Sequence, residues 1–277
     1  SNSLNSDIKS MKLYRHVDRV LTELQYLGKS EQTPLSASEL SPFDQLHYHG
    51  TESVDEAIRA TGITASSSVL EIGSGLGGPA RHIAATAGAK VTALELQNDQ
   101  DELASHLSAR CGLAEKVAHV CGDFLTHEWS TLHFDVIVSW LALYHIPERN
   151  VLLERCYGLL QKGGYFFTED LYARKEFTDW ERSELATELF ANCLPDYDTY
   201  LQDLKTAGFE LVSAEEMSDD WAVFTRERLA AYRAHKARHI DVHGEAVFTA
   251  MEHFYDVVVR HFSGGKLGGI RIVARKA

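Results

Sequence analysis

Apolar positions along the chain cluster in two ways that alternate. Residues 69–72, 91–96, 117–121, 134–140 and 165–169 are short, nearly continuous apolar runs, the pattern of strands buried on both faces. Residues 79–87, 99–111 and 149–160 carry apolar side chains at helical spacing, the last of these helices expected to stop at Gly163-Gly164. The alternation predicts an α/β, doubly wound sheet with helices on both faces. Phe-Asp-Val-Ile-Val-Ser-Trp at 134–140 is almost wholly apolar and predicts a central strand.

Residues 172–200 break the rhythm. They are aromatic and acidic, too long for a plain connector, and predict a lid over the carboxyl edge of the sheet. A helix at 200–207, a sixth strand at 209–214, one or two helices over 220–261 and a seventh strand at 267–275 complete the domain. Ahead of the first strand, Ile8, Met11, Leu13, Tyr14, Val17, Val20, Leu21 and Leu24 fall close to helical spacing. Residues 31–42, rich in Ser, Thr and Pro, predict a linker, and Thr51 is expected to cap a helix running to Ala60. The organisation expected is a helical cap and linker at 1–50, then one domain at 51–277 with a lid insertion at 172–200.

The first strand runs straight into Gly73-Ser74-Gly75-Leu76-Gly77-Gly78, and Pro79 opens a helix. Glycines there let a ligand approach the backbone, because no Cβ intervenes. Glu95, closing the second strand, is placed to accept hydrogen bonds from a ribose diol. Gly73, Gly75 and Gly78 satisfy a dinucleotide fingerprint literally, which keeps an NAD-dependent oxidoreductase as an alternative. Glu71, inside the strand, suits instead a ligand with an ammonium and a sulfonium group.

A net charge of −13 argues against nucleic acid as a partner. The densest basic stretch, 226–238, is interleaved with Glu227 and apolar residues and reads as a solvated helix face. No apolar run reaches membrane-spanning length. Cys111, Cys121, Cys156 and Cys193 have no Cys-x-x-Cys spacing, so reduced thiols and a cytoplasmic setting are expected. His47 and His49 lack a third ligand, and no metal site is expected.

The segment Leu-Glu-Ile-Gly-Ser-Gly-Leu-Gly-Gly resembles motif I of class I S-adenosylmethionine-dependent methyltransferases. That resemblance implies a Rossmann-like sheet of order 3-2-1-4-5-7-6 and S-adenosylmethionine as cofactor, with S-adenosylhomocysteine as product. Glu71, Gly73, Ser74, Gly75, Gly77, Glu95, Leu96 and Gln97 are then cofactor residues. Gly122-Asp123-Phe124 fits the adenine, and Ser139 opens the stretch that passes the reactive methyl. Together with the Asp-Gln-x-His-Tyr-x-Gly cluster at 44–50, which contributes Gln45, and with Gly-Gly-Lys-Leu at 264–267, these features are similar to the sarcosine, dimethylglycine and phosphoethanolamine N-methyltransferases.

In that branch a tyrosine and a histidine latch over the substrate amine, and their counterparts are Tyr48 and His145. A histidine of ordinary pKa can take the proton an amine must lose before it attacks. The chain departs from the branch at Leu141, where an acid is usual, which weakens the case for a cationic acceptor. Trp140, Tyr144, Tyr172 and Trp180 could hold an alkylammonium by cation–π contact, and Glu169 or Asp170 could restore the missing charge. The expectation is methyl transfer to nitrogen of a small amine or amino-acid-like acceptor, with O- or C-methylation of an apolar natural product as the alternative.

Overall fold

Seven strands form one sheet in the order β3-β2-β1-β4-β5-β7-β6 in the computed structural model, which describes residues 17–130 and 133–277. This is the expected order. β1 (Ser68–Ile72) pairs in parallel with β2 (Lys90–Glu95) on one side and β4 (Phe134–Trp140) on the other. β2 continues to β3 (Val117–Cys121), and β4 to β5 (Leu160–Ala173), again in parallel. β7 (Leu267–Arg275) inserts antiparallel between β5 and β6 (Glu210–Glu216). The chain therefore winds outward from β1 in one direction and from β4 in the other, which opens a crevice at their carboxyl ends.

Helices cover both faces because the central strands are apolar on both. Val54 and Ala57 of α3 (Gly50–Thr61) and Ile83 of α4 (Gly78–Ala87) pack with Val69, Val136 and Val138. On the other face Leu152, Leu153 and Cys156 of α6 (Arg149–Leu159) and Leu204 of α8 (Tyr197–Thr206) pack with Leu70, Ile137 and Phe166. α5 (Asn98–Arg110) offers Leu103 and Leu107 to the amino-terminal helices α1 (Arg19–Tyr26) and α2 (Ala37–Asp44).

Several expected boundaries are corrected. The segment 31–42 is not a plain linker: Ser36 and Glu39 form a reciprocal capping box that starts α2, and Pro42 lies inside that helix. Thr51 does not cap α3, which begins at Gly50 after His49 in a left-handed conformation. Gly163-Gly164 does not end α6. That helix stops at Leu159, and β5 begins at Leu160, runs through both glycines and reaches Ala173. Gly164 is accommodated there because a Cβ would come within 2.8 Å of the Asp135 carbonyl oxygen. The expected amino-terminal helix lies partly outside the described residues.

The largest difference concerns the roof of the crevice. The segment 172–200 supplies only α7 (Asp179–Leu189) and the start of α8. Most of the roof comes from 218–263, which forms three helices: α9 (Ser218–Ala234), α10 (Lys236–His243) and α11 (Glu245–Ser263). Trp221 of α9 and Val257, Val258 and Phe262 of α11 bury against Leu185, Leu189 and Tyr48. Gly269 of β7 lets α9 settle on the sheet, since a Cβ there would overlap the Trp221 ring. α10 buries no residue but is tied to α1 by Arg238 and His243, both on the Glu23 carboxylate at 2.7 and 2.8 Å.

Candidate functional site

The glycine turn is held by the end of the neighbouring strand. The N–H groups of Gly73 and Ser74 both donate to the Leu94 carbonyl, at 2.9 and 3.0 Å. Gly73 takes φ +72°, and a Cβ on it would overlap the Ala142 side chain, so only glycine satisfies both demands. The Gly75 N–H donates to one oxygen of Glu95 at 2.8 Å, and the Gln97 N–H to the other, also at 2.8 Å. Two backbone donors thus fix the carboxylate that closes β2. Gly78 carries the amino-terminal cap at close range: a Cβ there would overlap the Asp44 carbonyl.

Glu71 is fully enclosed at the end of β1, and its Oε1 has no hydrogen-bond partner among the described residues. Burial, and then the nearby Glu95, push its carboxyl well above the ordinary value of 4.5. The carboxyl accepts from the Ala80 N–H, but a buried carboxyl oxygen left without a partner is costly, so Glu71 is suited to a ligand's ammonium group. The glycine cradle, Glu95 and this acid fit a nucleoside joined to a cationic chain.

A cavity of about 260 Å³ joins these groups at the crevice. Glu71, Gly73, Ser74, Gly75, Glu95, Leu96, Gln97, Gly122, Asp123, Phe124, Trp140 and His145 all line it. Asp123 also accepts from the Leu125 N–H through Oδ1 at 2.9 Å, which shapes the turn after β3. Leu46, His47, Gln100 and Ala142 line it too, and the sequence reading missed them.

Other expected residues lie elsewhere. Gly77 caps α4, and Ser139 donates to the Ile72 carbonyl at 2.7 Å, tying β4 to β1; neither lines the cavity. Tyr172 hydrogen-bonds Glu216 and packs in the core, while Trp180 is 64% exposed on α7. Asp170 is consumed by Arg149 at 3.2 Å, the Tyr200 hydroxyl at 2.7 Å and the Tyr144 N–H at 3.1 Å. Glu169 pairs with Arg271 at 2.8 Å. Neither acid replaces the charge missing at Leu141.

Gln45, Tyr48 and Tyr144 instead line a second, larger cavity of about 1010 Å³. Tyr48 and His145 therefore face different spaces, Tyr48 being packed on Trp221 and Phe224 at ring separations of 5.1 and 5.3 Å. The larger cavity lies between α1–α2 and the α9–α11 roof, with Phe224, Arg228, Tyr232, Met251 and Phe254 on its wall. The stretch 226–238 is thus not simply a solvated face: Arg228 and Arg238 border this space. Phe224, Arg228 and Tyr232 recur at every fourth position, the signal that could have marked one inward helix face.

Leu46, His47 and Leu141 line both cavities and form the partition between them. Leu141 adopts φ +48°, a left-handed turn locked by its N–H on the Glu169 carbonyl at 2.7 Å. Burial holds both His47 and His145 down to about 4, so both imidazoles are neutral at pH 7. His145 donates Nδ1–H to the Phe190 carbonyl at 2.9 Å, which leaves Nε2 as an acceptor. Among the described residues no group of three metal-ligating side chains converges, and no helix is long and apolar enough to cross a membrane.

Strand order, glycine turn and paired acids define the fold and nucleoside site of class I S-adenosylmethionine-dependent methyltransferases. Residues 45–214 match the family described as methyltransferase domain, and the chain belongs to it. Sterol 24-C-methyltransferase of Eremothecium gossypii is 29% identical over 168 residues, covering 57% of this chain and 44% of that protein. The chain thus matches less than half the length of that curated relative. Phosphoethanolamine N-methyltransferase 2 of Haemonchus contortus superposes with a TM-score of 0.79 at 16% identity, over 98% of this chain and 60% of that one. The cyclopropane synthase MmaA2 of Mycobacterium tuberculosis superposes at 0.70 and 18% identity, over 80% and 82%. At such identities the structural likeness establishes the fold.

Proposed function

We propose that this protein moves the methyl group of S-adenosylmethionine to a carbon or oxygen of a bulky, largely apolar acceptor. The observation that carries this reading is the larger cavity, about 1010 Å³, sharing its wall with the nucleoside cavity. That volume lies at the upper end of the roughly 300–1,000 Å³ of small-molecule sites, and far exceeds the needs of a methylated glycine. The wall carries Arg19, Arg228 and Arg238 against Glu23 and Glu188, an arrangement that disfavours a cationic amine. Similarity to enzymes named for methylating a sterol carbon points the same way.

Glu71 would hold the cofactor's ammonium group, Glu95 its ribose diol, and Asp123 with Phe124 its adenine. Bound there, the cofactor supplies an activated methyl for in-line displacement, a reaction in which positioning provides much of the acceleration. Leu46, His47 and Leu141 set the opening through which the acceptor atom approaches. The α9–α11 roof covers the larger cavity. His145, neutral and with Nε2 unprotonated, lines the nucleoside cavity, where it can accept a hydrogen bond or a proton from an acceptor atom that reaches through the partition.

Titration calorimetry with S-adenosylhomocysteine, with NADH as control, followed by a panel of sterols, prenyl compounds, phenols and methylated amines tests the reading. S-adenosylhomocysteine alone should bind, on the order of micromolar, and an apolar acceptor should consume the methyl donor. Turnover restricted to small amines such as sarcosine would overturn the acceptor assignment, and binding of NADH alone would overturn the cofactor.

A further inference from the structure

The charges on the larger cavity are unevenly matched. Glu23 is held by Arg238 at 2.7 Å and by His243 at 2.8 Å, and Glu188 faces His253 at 3.3 Å. Glu23 is therefore committed, and Glu188 lies against His253 rather than against an arginine. Arg238 is likewise spent on Glu23. Arg228, one element away on α9, makes no ion pair among the described residues, and its buried Nε has no hydrogen-bond partner. Its guanidinium sits 4.2 Å from the centre of the Tyr255 ring and 5.3 Å from that of Tyr48. Those aromatic faces orient the cation without cancelling its charge. The Tyr48 phenol beside it is neutral, its ionisation opposed by burial. Arg19 on α1, bordering the same space, also has a buried, unpartnered Nε and pairs with no carboxylate among the described residues.

A partly buried guanidinium without a counter-ion is unfavourable, and a protein of net charge −13 has many acids from which one could have been supplied. Arg228 also shares a hydrogen bond with the Tyr48 hydroxyl, and an arginine packed against aromatic rings presents its remaining donors in a fork that matches an oxyanion. We propose that the acceptor carries an anionic group, a carboxylate or a phosphate, at the end remote from the methylated atom, and that Arg228 receives it with Arg19 assisting. The reading rests on assigning the larger cavity to the acceptor. It narrows the substrate class to apolar molecules with one acidic end.

The test measures binding of decanoate, decyl phosphate and decanol to the protein saturated with S-adenosylhomocysteine. Wild type should prefer at least one of the anions to decanol by roughly tenfold or more, the usual weight of a hydrogen bond to a charged group. Arg228→Met should abolish that preference while leaving decanol and S-adenosylhomocysteine affinities unchanged, and Arg228→Lys should retain part of it. Arg19→Met should weaken anion binding more modestly and serves as a second variant should Arg228→Met fold poorly. Which anion is favoured separates a carboxylate from a phosphate source. Equal binding of all three probes, or a preference untouched by both arginine variants, overturns the proposal while leaving the cavity assignment standing. If none of the three binds, the cavity assignment fails and this proposal with it.

Discussion

Arg81 is fully buried on α4 and joins three parts of the nucleoside site. Its guanidinium donates to the Ala104 carbonyl and Ser108 Oγ of α5, each at 3.1 Å, to Asp44 at the end of α2 at 3.1 Å, and to the Leu76 carbonyl within the glycine turn. Arg81→Met keeps much of the volume but strands a carboxylate that is itself 2% exposed. Breaking a buried pair by removing one partner costs about 3–5 kcal/mol. An independent figure follows from the acid. Burial already pushes Asp44 above its ordinary 3.8 despite Arg81, and without Arg81 it would take up a proton rather than stay ionised; from 3.8 that costs at most about 4 kcal/mol at pH 7. Urea unfolding should therefore show a deficit of about 3–5 kcal/mol at pH 7, or roughly 6–20 °C in melting temperature for a domain of this size. The deficit should shrink as pH falls toward 5, by up to about 1.4 kcal/mol per unit, because the stranded acid is then cheaper to protonate. Asp44→Asn in the Arg81→Met background should recover part of the loss. A deficit below about 1 kcal/mol at pH 7, or one that does not diminish toward pH 5, would refute this account of the buried pair.

Gly73→Ala should cut affinity for S-adenosylhomocysteine by roughly tenfold or more, since the new Cβ meets Ala142 and the positive φ disfavours alanine; adding Ala142→Gly should restore only the steric share, measured by calorimetry. Glu23, held down to about 2 chiefly by its hydrogen bonds from Arg238, has a folded pKa below its unfolded value of 4.5. The tether it forms is complete above about pH 5 and lost as pH falls toward 2, so the stability gap between wild type and Glu23→Gln, about 1–2 kcal/mol after solvent screening, should close over that range in thermal melts. His145, pressed down to about 4 by burial, should stay neutral from pH 5.5 to 8, and ring-proton NMR assigned with His145→Gln would contradict this if the histidine titrated near 6.5.

Legibility followed the distance along the chain over which each feature is decided. Glu71, the glycine turn and Glu95 sit in one strand–turn–helix–strand unit, where short-range geometry alone sets their relation. Their convergence was readable before any packing was known. The seven-stranded order was reachable too, although through resemblance, since handedness rules leave other orders open. Asp170 shows the opposite case: its place at the end of a strand suggested a role in the site, but Arg149 and Tyr200, close only in space, had already claimed it.

The roof and its cavity belong wholly to the second kind. An amphipathic helix has the same periodicity whether its apolar face closes on a core or spans an open volume, so α9 and α11 looked ordinary in sequence. Glu23 meets Arg238 across the whole length of the domain, and no local pattern encodes that meeting. By itself, then, the sequence determined which class of cofactor site this chain builds, because that site is local and needs glycine and acid at set positions. Only the tertiary structure decided the size and apolar lining of the adjoining cavity, and the arginines on it that meet no carboxylate among the described residues, because those follow from how distant helices pack around a shared space.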